Sequence, residues 1–358
     1  MSVLNLIRPE LLNSQVYLTN SGQINHRLHA NELPWSALKM ETDLNFYPEK
    51  MVQEPLLKQL ATLYQVEVNQ LVLTRGSDDG IDLITRLFLS AGQDSCMQFP
   101  PTFSMYSFYA HLQQAQLINC PLDPLNCFEI SVEEIRNRWQ ENCKIIILCN
   151  PNNPTASLIN IGQIAALCEE YKDRSMIVVD EAYIEFTQNQ SATCLIPQFD
   201  NLIILRTLSK AYGLANLRLG GILAQAHVIQ ALNKVMPPFP LSTVVINLAL
   251  KALAKQEWFS ESIKKIRKAR TQLIQTLTSC PHIKKVYPSQ TNFILIKTLY
   301  AAELAMWLNS HGIAVKNFPI HSSLPDHLRI TVGNEAQNIL LLNTLSSFQP
   351  NSSLAGCK

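Results

Sequence analysis

Four short runs of apolar, mostly β-branched residues punctuate the first part of the chain: Gln70–Arg75 (QLVLTR), Lys144–Cys149 (KIIILC), Met176–Val179 (MIVV) and Leu202–Arg206 (LIILR). Each run is continuous rather than alternating, so a strand formed from it must be covered on both faces. Longer amphipathic stretches lie between them, among them Asp79–Ser90, Val132–Trp139 and Ile161–Asp173. This alternation predicts βαβ units and a mostly parallel sheet flanked by helices. Sheets of that class collect their functional residues at the carboxyl ends of the strands.

The remaining third is organised differently. Pro237-Pro238-Phe239-Pro240 interrupts any helix, and a helical region is expected from Leu241 to Thr278, basic over Lys264–Arg270. Strand-like Asn292–Lys297, a helix over Ala301–His311 and strand-like Leu328–Val332 follow, an order that suits a smaller α+β domain. The division expected is residues 1–44 as an N-terminal arm and part of the small domain, 45–240 as the large domain, and 241–358 as linking helix and small domain. The tail 349–358 is polar and expected to fray.

Composition excludes several classes. The 29 basic and 28 acidic side chains leave a formal charge of +1, so no global field attracts nucleic acid or an anionic membrane. Charged residues make up only 16% of 358, below the usual share of about 25%, which points to surface covered by oligomerisation. No apolar run approaches the length of a membrane span, and MSVLNLIRPELL has no basic region before an apolar stretch, so a soluble cytoplasmic protein is expected. The nine cysteines include no CxxC and no HExxH is present, so no metal site is expected and buried free thiols are.

The chemistry gathers at four strand ends. After Leu71–Thr74 comes Arg75-Gly76-Ser77-Asp78-Asp79-Gly80, where helix amides at Ser77 and Asp78 could hold an anion; alone, the stretch reads better as a helix cap. After Lys144–Cys149 comes Asn150-Pro151-Asn152-Asn153-Pro154-Thr155, a turn that also aims side-chain amides into a cleft. After Met176–Val179 comes Asp180-Glu181-Ala182-Tyr183; a carboxylate directly after an apolar strand is costly to bury without a cation. After Leu202–Leu205 comes Thr207-Leu208-Ser209-Lys210, with Arg218 beyond, either a solvated basic loop or a phosphate site with a desolvated lysine. A phosphate, a basic ring nitrogen and an aldehyde together suit all four, and pyridoxal 5′-phosphate carries all three.

At this point the chain resembles the fold-type I pyridoxal-phosphate aminotransferases, and among them the histidinol-phosphate aminotransferase family. The likeness runs through Leu44-Asn45-Phe46-Tyr47-Pro48-Glu49, Pro100-Pro101-Thr102-Phe103-Ser104-Met105-Tyr106, Asn152-Asn153-Pro154-Thr155, DEAYIEF (180–186), RTLSKAYGL (206–214), PFPLST (238–243) and LRITVG (328–333). The resemblance implies an α/β fold with a mostly parallel sheet in a large domain and a smaller α+β domain. It implies Lys210 as the Schiff-base lysine, Asp180 as partner of the ring nitrogen, and Tyr183 and Asn153 on the 3′-oxygen. Tyr106 would stack on the ring; Ser77, Asp78, Thr207, Ser209 and Arg218 would hold the phosphate, with Tyr47 reaching it from the second subunit of a homodimer. Arg329, Lys316 and Asn31 would contact substrate.

Four positions depart from the family pattern. Ala156 stands where a Gly is usual, so the turn is expected not to need positive φ, and Asn216 replaces a Gly while tolerating the left-handed region. Pro9-Glu10 replaces a Pro-Tyr of the arm, and Lys316 replaces a frequent Arg. The implied reaction is ping-pong transamination of L-histidinol phosphate with 2-oxoglutarate, giving imidazole acetol phosphate and L-glutamate, with Lys210 as general base. A phosphothreonine decarboxylase, a broad aromatic-amino-acid aminotransferase and a catalytically inactive regulator are the alternatives; the last conflicts with the presence of both Lys210 and Asp180.

Overall fold

The computed structural model describes residues 3–15, 30–38 and 42–350. Seven strands form the main sheet: β1 (Leu71–Thr74), β2 (Ser95–Gln98), β3 (Gln116–Asn119), β4 (Cys143–Cys149), β5 (Met176–Asp180), β6 (Leu202–Thr207) and β7 (Gly220–Ala224). Their order is β1-β7-β6-β5-β4-β2-β3. The pairs from β6 through β5, β4 and β2 to β3 are parallel, whereas β7 runs antiparallel between β1 and β6. The four apolar runs are β1, β4, β5 and β6. Sequence reading missed β2, β3 and β7, because SCMQ, QLIN and GGILA are short and poor in β-branched residues.

Side chains on the two faces of this sheet feed two cores. One takes Val179, Leu202 and Ile204 with helix Lys50–Tyr64 and the helix Thr243–Leu253; the other takes Val178, Ile203 and Leu205 with helix Ser77–Phe88. Val3, Leu6 and Ile7 are buried in the second core, and Lys234 Nζ donates to the carbonyls of Leu11 and Leu12 at 2.9 and 2.6 Å. The start of the chain is therefore packed against the large sheet. Most of the remainder of the arm, residues 16–29, and the tail 351–358 lie outside the described residues.

Four further strands, β8 (Lys285–Val286), β9 (Phe293–Lys297), β10 (Lys316–Asn317) and β11 (His327–Thr331), make an antiparallel sheet in the order β10-β11-β9-β8. The single helical region expected over Leu241–Thr278 is two helices, Thr243–Leu253, capped by the Ser242 side chain, and Gln256–Thr278. The longer one begins in the first core at Phe259 and ends at Leu273 and Leu277 in a third core under the small sheet. It physically joins the two sheets.

The cysteines correct one expectation. All eight described cysteines are free, but only Cys96, Cys120, Cys143, Cys149 and Cys168 are buried; Cys127 and Cys194 are exposed.

Candidate active site

The carboxyl ends of β4, β5 and β6 and the amino end of helix Ser77–Phe88 surround a cavity of about 550 Å³, closed on its other side by β10 and β11. Eleven of the fourteen residues singled out in the sequence line it: Ser77, Asp78, Asn153, Asp180, Tyr183, Thr207, Ser209, Lys210, Arg218, Lys316 and Arg329. Chain topology brings them together from stretches that are far apart in the sequence.

Asp180 ends β5 and is 2% exposed. Its Oδ2 accepts from the Tyr106 hydroxyl at 2.8 Å and its Oδ1 from the Ala182 amide at 3.1 Å. Burial pushes the carboxyl up to about 6, and these two donors pull it back only in part. Among the described residues no cation forms an ion pair with it. A buried carboxylate at a cavity wall is suited to a cationic group of a bound ligand.

Lys210 opens into the cavity from the loop after β6. Desolvation by the surrounding walls lowers its amine below the ordinary lysine range, and the Arg329 guanidinium lowers it further. Its Nζ lies 5.7 Å from the centre of the Tyr183 ring, which in turn packs edge-on against Phe293 at 5.1 Å. Burial raises the Tyr183 hydroxyl well above its ordinary value.

The anion cradle forms because Gly76 takes φ +84° and brings the chain sharply from β1 into helix Ser77–Phe88. A Cβ on Gly76 would lie 2.9 Å from Arg218 Nη2, so Gly also makes room for the guanidinium. The Thr207 hydroxyl donates to Ser209 Oγ at 3.0 Å, and Arg218 Nη2 lies 3.4 Å from Asp78 Oδ2. Helix amides, two hydroxyls and a guanidinium thus face one end of the cavity, a set suited to a phosphate.

Across the cavity, Lys316 on β10 stands directly opposite Arg329 on β11 in the antiparallel register, so the two cations share a face. Arg329 Nη1 donates to Asn153 Oδ1, linking the small sheet to the loop after β4, and its guanidinium sits 5.2 Å over Phe293. Burial holds Arg329 below the usual arginine range.

Several expectations are redirected. Tyr106 is wholly buried and does not line the cavity; its hydroxyl donates to Asp180, while Phe103, edge-on to it at 5.6 Å, is one of the aromatic rings on the wall. Asn31 lines a second concavity with Phe239, Leu241 and Ser242; Tyr47, expected to serve a second subunit and so not redirected, lies there too and stacks on Phe239 at 4.7 Å. Ala156 does take positive φ, +60°, closing a tight turn in which its amide donates to Asn152 O at 2.8 Å. Besides Gly213, φ +64°, the left-handed residue of the β6–β7 loop is Arg218, φ +49°, rather than Asn216, which lies in the 3-10 turn Ala215–Leu217. Glu10 is bound to Arg8, with Arg8 Nε donating at 2.8 Å, and neither residue lines the cavity.

Thr102, Phe103, Phe318 and Pro319 also line the cavity without having been assigned a role. The first two lie inside the PPTFSMY stretch, whose prolines mark the end of a strand; the last two follow Lys316 by two and three positions.

The chain matches the family "Aminotransferase class I and II" over residues 10–345. It is 54% identical over 357 residues to "Histidinol-phosphate aminotransferase 1" of Legionella pneumophila subsp. pneumophila strain Philadelphia 1, covering 99% of this chain and 98% of that one. Among solved structures it is similar to histidinol-phosphate aminotransferase from Sinorhizobium meliloti in complex with pyridoxal-5′-phosphate, with TM-score 0.75, 23% identity and coverage of 84% and 82%. L-threonine-O-3-phosphate decarboxylase from Porphyromonas gingivalis shares the fold at TM-score 0.69, 24% identity and coverage of 81% and 87%. On the match along nearly its whole length, this chain belongs to the histidinol-phosphate aminotransferase family of the class I and II aminotransferases.

Proposed function

We propose that this chain is a pyridoxal-phosphate enzyme that transfers the amino group of L-histidinol phosphate to 2-oxoglutarate, giving imidazole acetol phosphate and L-glutamate. One observation carries the reading: a desolvated lysine, a buried carboxylate without an ion pair among the described residues and a phosphate cradle share one cavity. The relative at 54% identity is named for this activity.

Bound in this cavity, pyridoxal 5′-phosphate would supply a carbonyl that condenses with amines and a ring that accepts the electron pair released at the substrate Cα. Asp180 would hold a proton at the ring nitrogen, and Asn153 and Tyr183 would bond the 3′-oxygen. The amides of Ser77 and Asp78, the hydroxyls of Thr207 and Ser209, and Arg218 would bind the phosphate. Lys210 would carry the cofactor and then, with its amine lowered by burial and by Arg329, take the Cα proton as general base. Arg329 would pair with the carboxylate of glutamate and Lys316 with the phosphate ester of the other substrate; a planar fork suits the first and a compact ammonium tolerates the second. Phe103, on the cavity wall, would offer an apolar face to the ring.

A homodimer completes the reading. Tyr47 and Asn31 share a concavity separate from the one that holds Lys210, as side chains delivered to the site of a second copy would. The free cysteines suit a reducing cytoplasm.

Single-turnover spectroscopy with L-histidinol phosphate, L-glutamate, phosphothreonine and phenylalanine tests the proposal. Conversion of the bound chromophore by the first two is the expected result. Release of CO₂ from phosphothreonine without 2-oxoglutarate would assign the chain to the lyases instead. Phenylalanine turning over as fast as histidinol phosphate would make it a broad aromatic aminotransferase.

A further inference from the structure

Successive residues of a strand face opposite sides of a sheet. At the ends of β5 and β6, Asp180 and Thr207 continue the face of Val178, Ile203 and Leu205 and reach the cavity. Glu181 and Arg206 continue the face of Val179 and Ile204 and lie behind it, against helix Lys50–Tyr64. There Arg206, 5% exposed, donates from Nη2 to Glu185 Oε1 at 2.8 Å and from Nη1 to Glu181 Oε2 at 3.4 Å, with its guanidinium 4.4 Å from the centre of the Tyr64 ring. Glu181, fully buried, also accepts from Ser191 Oγ at 2.5 Å and the Ala192 amide at 2.7 Å.

As a stability device this cluster is poorly made. It buries two carboxylates against one guanidinium, and Arg206 Nε, Glu185 Oε2 and the Tyr64 hydroxyl are buried without a hydrogen-bond partner among the described residues. Apolar residues of similar volume generally serve a core as well as or better than a buried ion cluster, and a partly satisfied network is costly. Its placement is more informative. Arg206 is bonded to Thr207, Glu181 to Asp180, and Glu185 lies two residues beyond Tyr183. The helix Gln256–Thr278 holds the same turn from its far side, Arg267 donating from Nε to Phe186 O at 3.1 Å and from Nη2 to Glu185 O at 3.0 Å.

We infer that Arg206, through Glu181 and Glu185, is a positioning residue that locks the ends of β5 and β6 together from behind and so sets how Asp180, Tyr183 and Lys210 face one another. The inference rests on the transaminase reading above. From β6 the guanidinium fork spans two carboxylates of the stretch that follows β5, which an ammonium cannot do in one geometry.

The test uses full-length Arg206→Lys, Arg206→Met and Glu185→Gln proteins reconstituted with pyridoxal 5′-phosphate. Three quantities are read: thermal midpoint, kcat and KM in each half-reaction, and the pH midpoint of the bound cofactor's absorbance band. Misplacement of reacting groups by a fraction of an ångström predicts a fall in kcat of ~10- to 100-fold for both Arg206 variants, with KM changed much less. The absorbance midpoint should move by at least ~0.5 pH unit, since the charge near the chromophore is displaced. Glu185→Gln should fall between these variants and wild type. Should Arg206→Met fail to fold, Arg206→Lys and Glu185→Gln decide. Variants that lose thermal stability but keep the wild-type kcat and absorbance midpoint would make the cluster purely structural. A wild-type protein that forms no cofactor band at all would overturn the functional reading and this inference with it.

Discussion

The two walls of the cavity are built on different principles. The wall at the ends of β4, β5 and β6 belongs to the centre of a seven-stranded sheet; Asp180 and Thr207 are buried, and an ionic cluster lies behind them. The facing wall comes from β10, a two-residue edge strand whose Lys316 is exposed, and from the half-buried Arg329 beside it. A central strand is held from both sides, whereas a short edge strand has neighbours on one side only. Under the proposed reaction, the first wall meets the same cofactor at every turnover and the second must accept a carboxylate and a phosphate ester in turn. Rigidity is placed where the ligand is constant, and adjustable charge where it changes.

Asp180→Asn breaks the comparison most severely. It should slow both half-reactions by ~10²-fold or more, the scale of a lost proton-holding group, while leaving the cofactor attached; borohydride reduction and peptide mapping should still find the pyridoxyl group on Lys210. The cofactor-free protein should gain stability from the same change. The Asp180 carboxyl is raised from 3.8 to about 6 in the folded chain, so folding favours its protonated form, and the resulting penalty grows as pH rises from about 4 and is complete above about 6. A neutral amide at this position carries no such penalty, and at about 1.4 kcal/mol per unit the gain is up to about 3 kcal/mol at pH 8, shrinking toward zero at pH 4. Thermal unfolding of both apo-proteins across pH 4–8 measures it; a constant difference across that range would contradict the assignment of the penalty to this carboxyl.

Lys316→Ala probes the adjustable wall. Loss of a charge-assisted contact of ~1.5–3 kcal/mol should lower kcat/KM for histidinol phosphate by roughly 10- to 150-fold, with a much smaller change for glutamate, and Lys316→Arg should retain the phosphate substrate. Equal losses for both substrates would move Lys316 out of phosphate recognition.

Tyr47 tests whether the cofactor wall is completed by a second copy. Removing one hydrogen bond to the phosphate by Tyr47→Phe should weaken cofactor retention by up to ~10-fold. Mixing Lys210→Ala with Tyr47→Ala subunits should recover up to about a quarter of wild-type activity through heterodimers with one whole site; no recovery after demonstrated subunit exchange would make each chain self-contained.

The smallest effect expected is at Ala156. Its φ of +60° costs an L-residue with a Cβ, so Ala156→Gly should stabilise the fold by up to ~1 kcal/mol after the greater chain entropy of Gly is subtracted. Denaturant unfolding measures this, and a loss of stability would show that the buried methyl outweighs the backbone term.

Local sequence was enough to find the strands whose ends carry the chemistry, since KIIILC, MIVV and LIILR announce burial by composition alone and the polar residues after them stand out against it. It also marked Lys210, Asp180 and the Ser77–Asp78 helix start, because strand, turn and helix signals there are contiguous in the chain. Three things were decided only by tertiary structure. Tyr106 was turned from the cavity to the back of Asp180 by the packing of helix Met105–Leu112. The left-handed residues fell on Ala156 and Arg218 because hydrogen bonds and neighbours over-determine those turns, overriding intrinsic preference. Arg206, Glu181 and Glu185 read in sequence as ordinary members of longer motifs, and only strand alternation and the pairing of β5 with β6 put them in one buried cluster. Patterns along a chain encode burial and local conformation; which buried groups meet is set by register and packing between segments far apart in sequence.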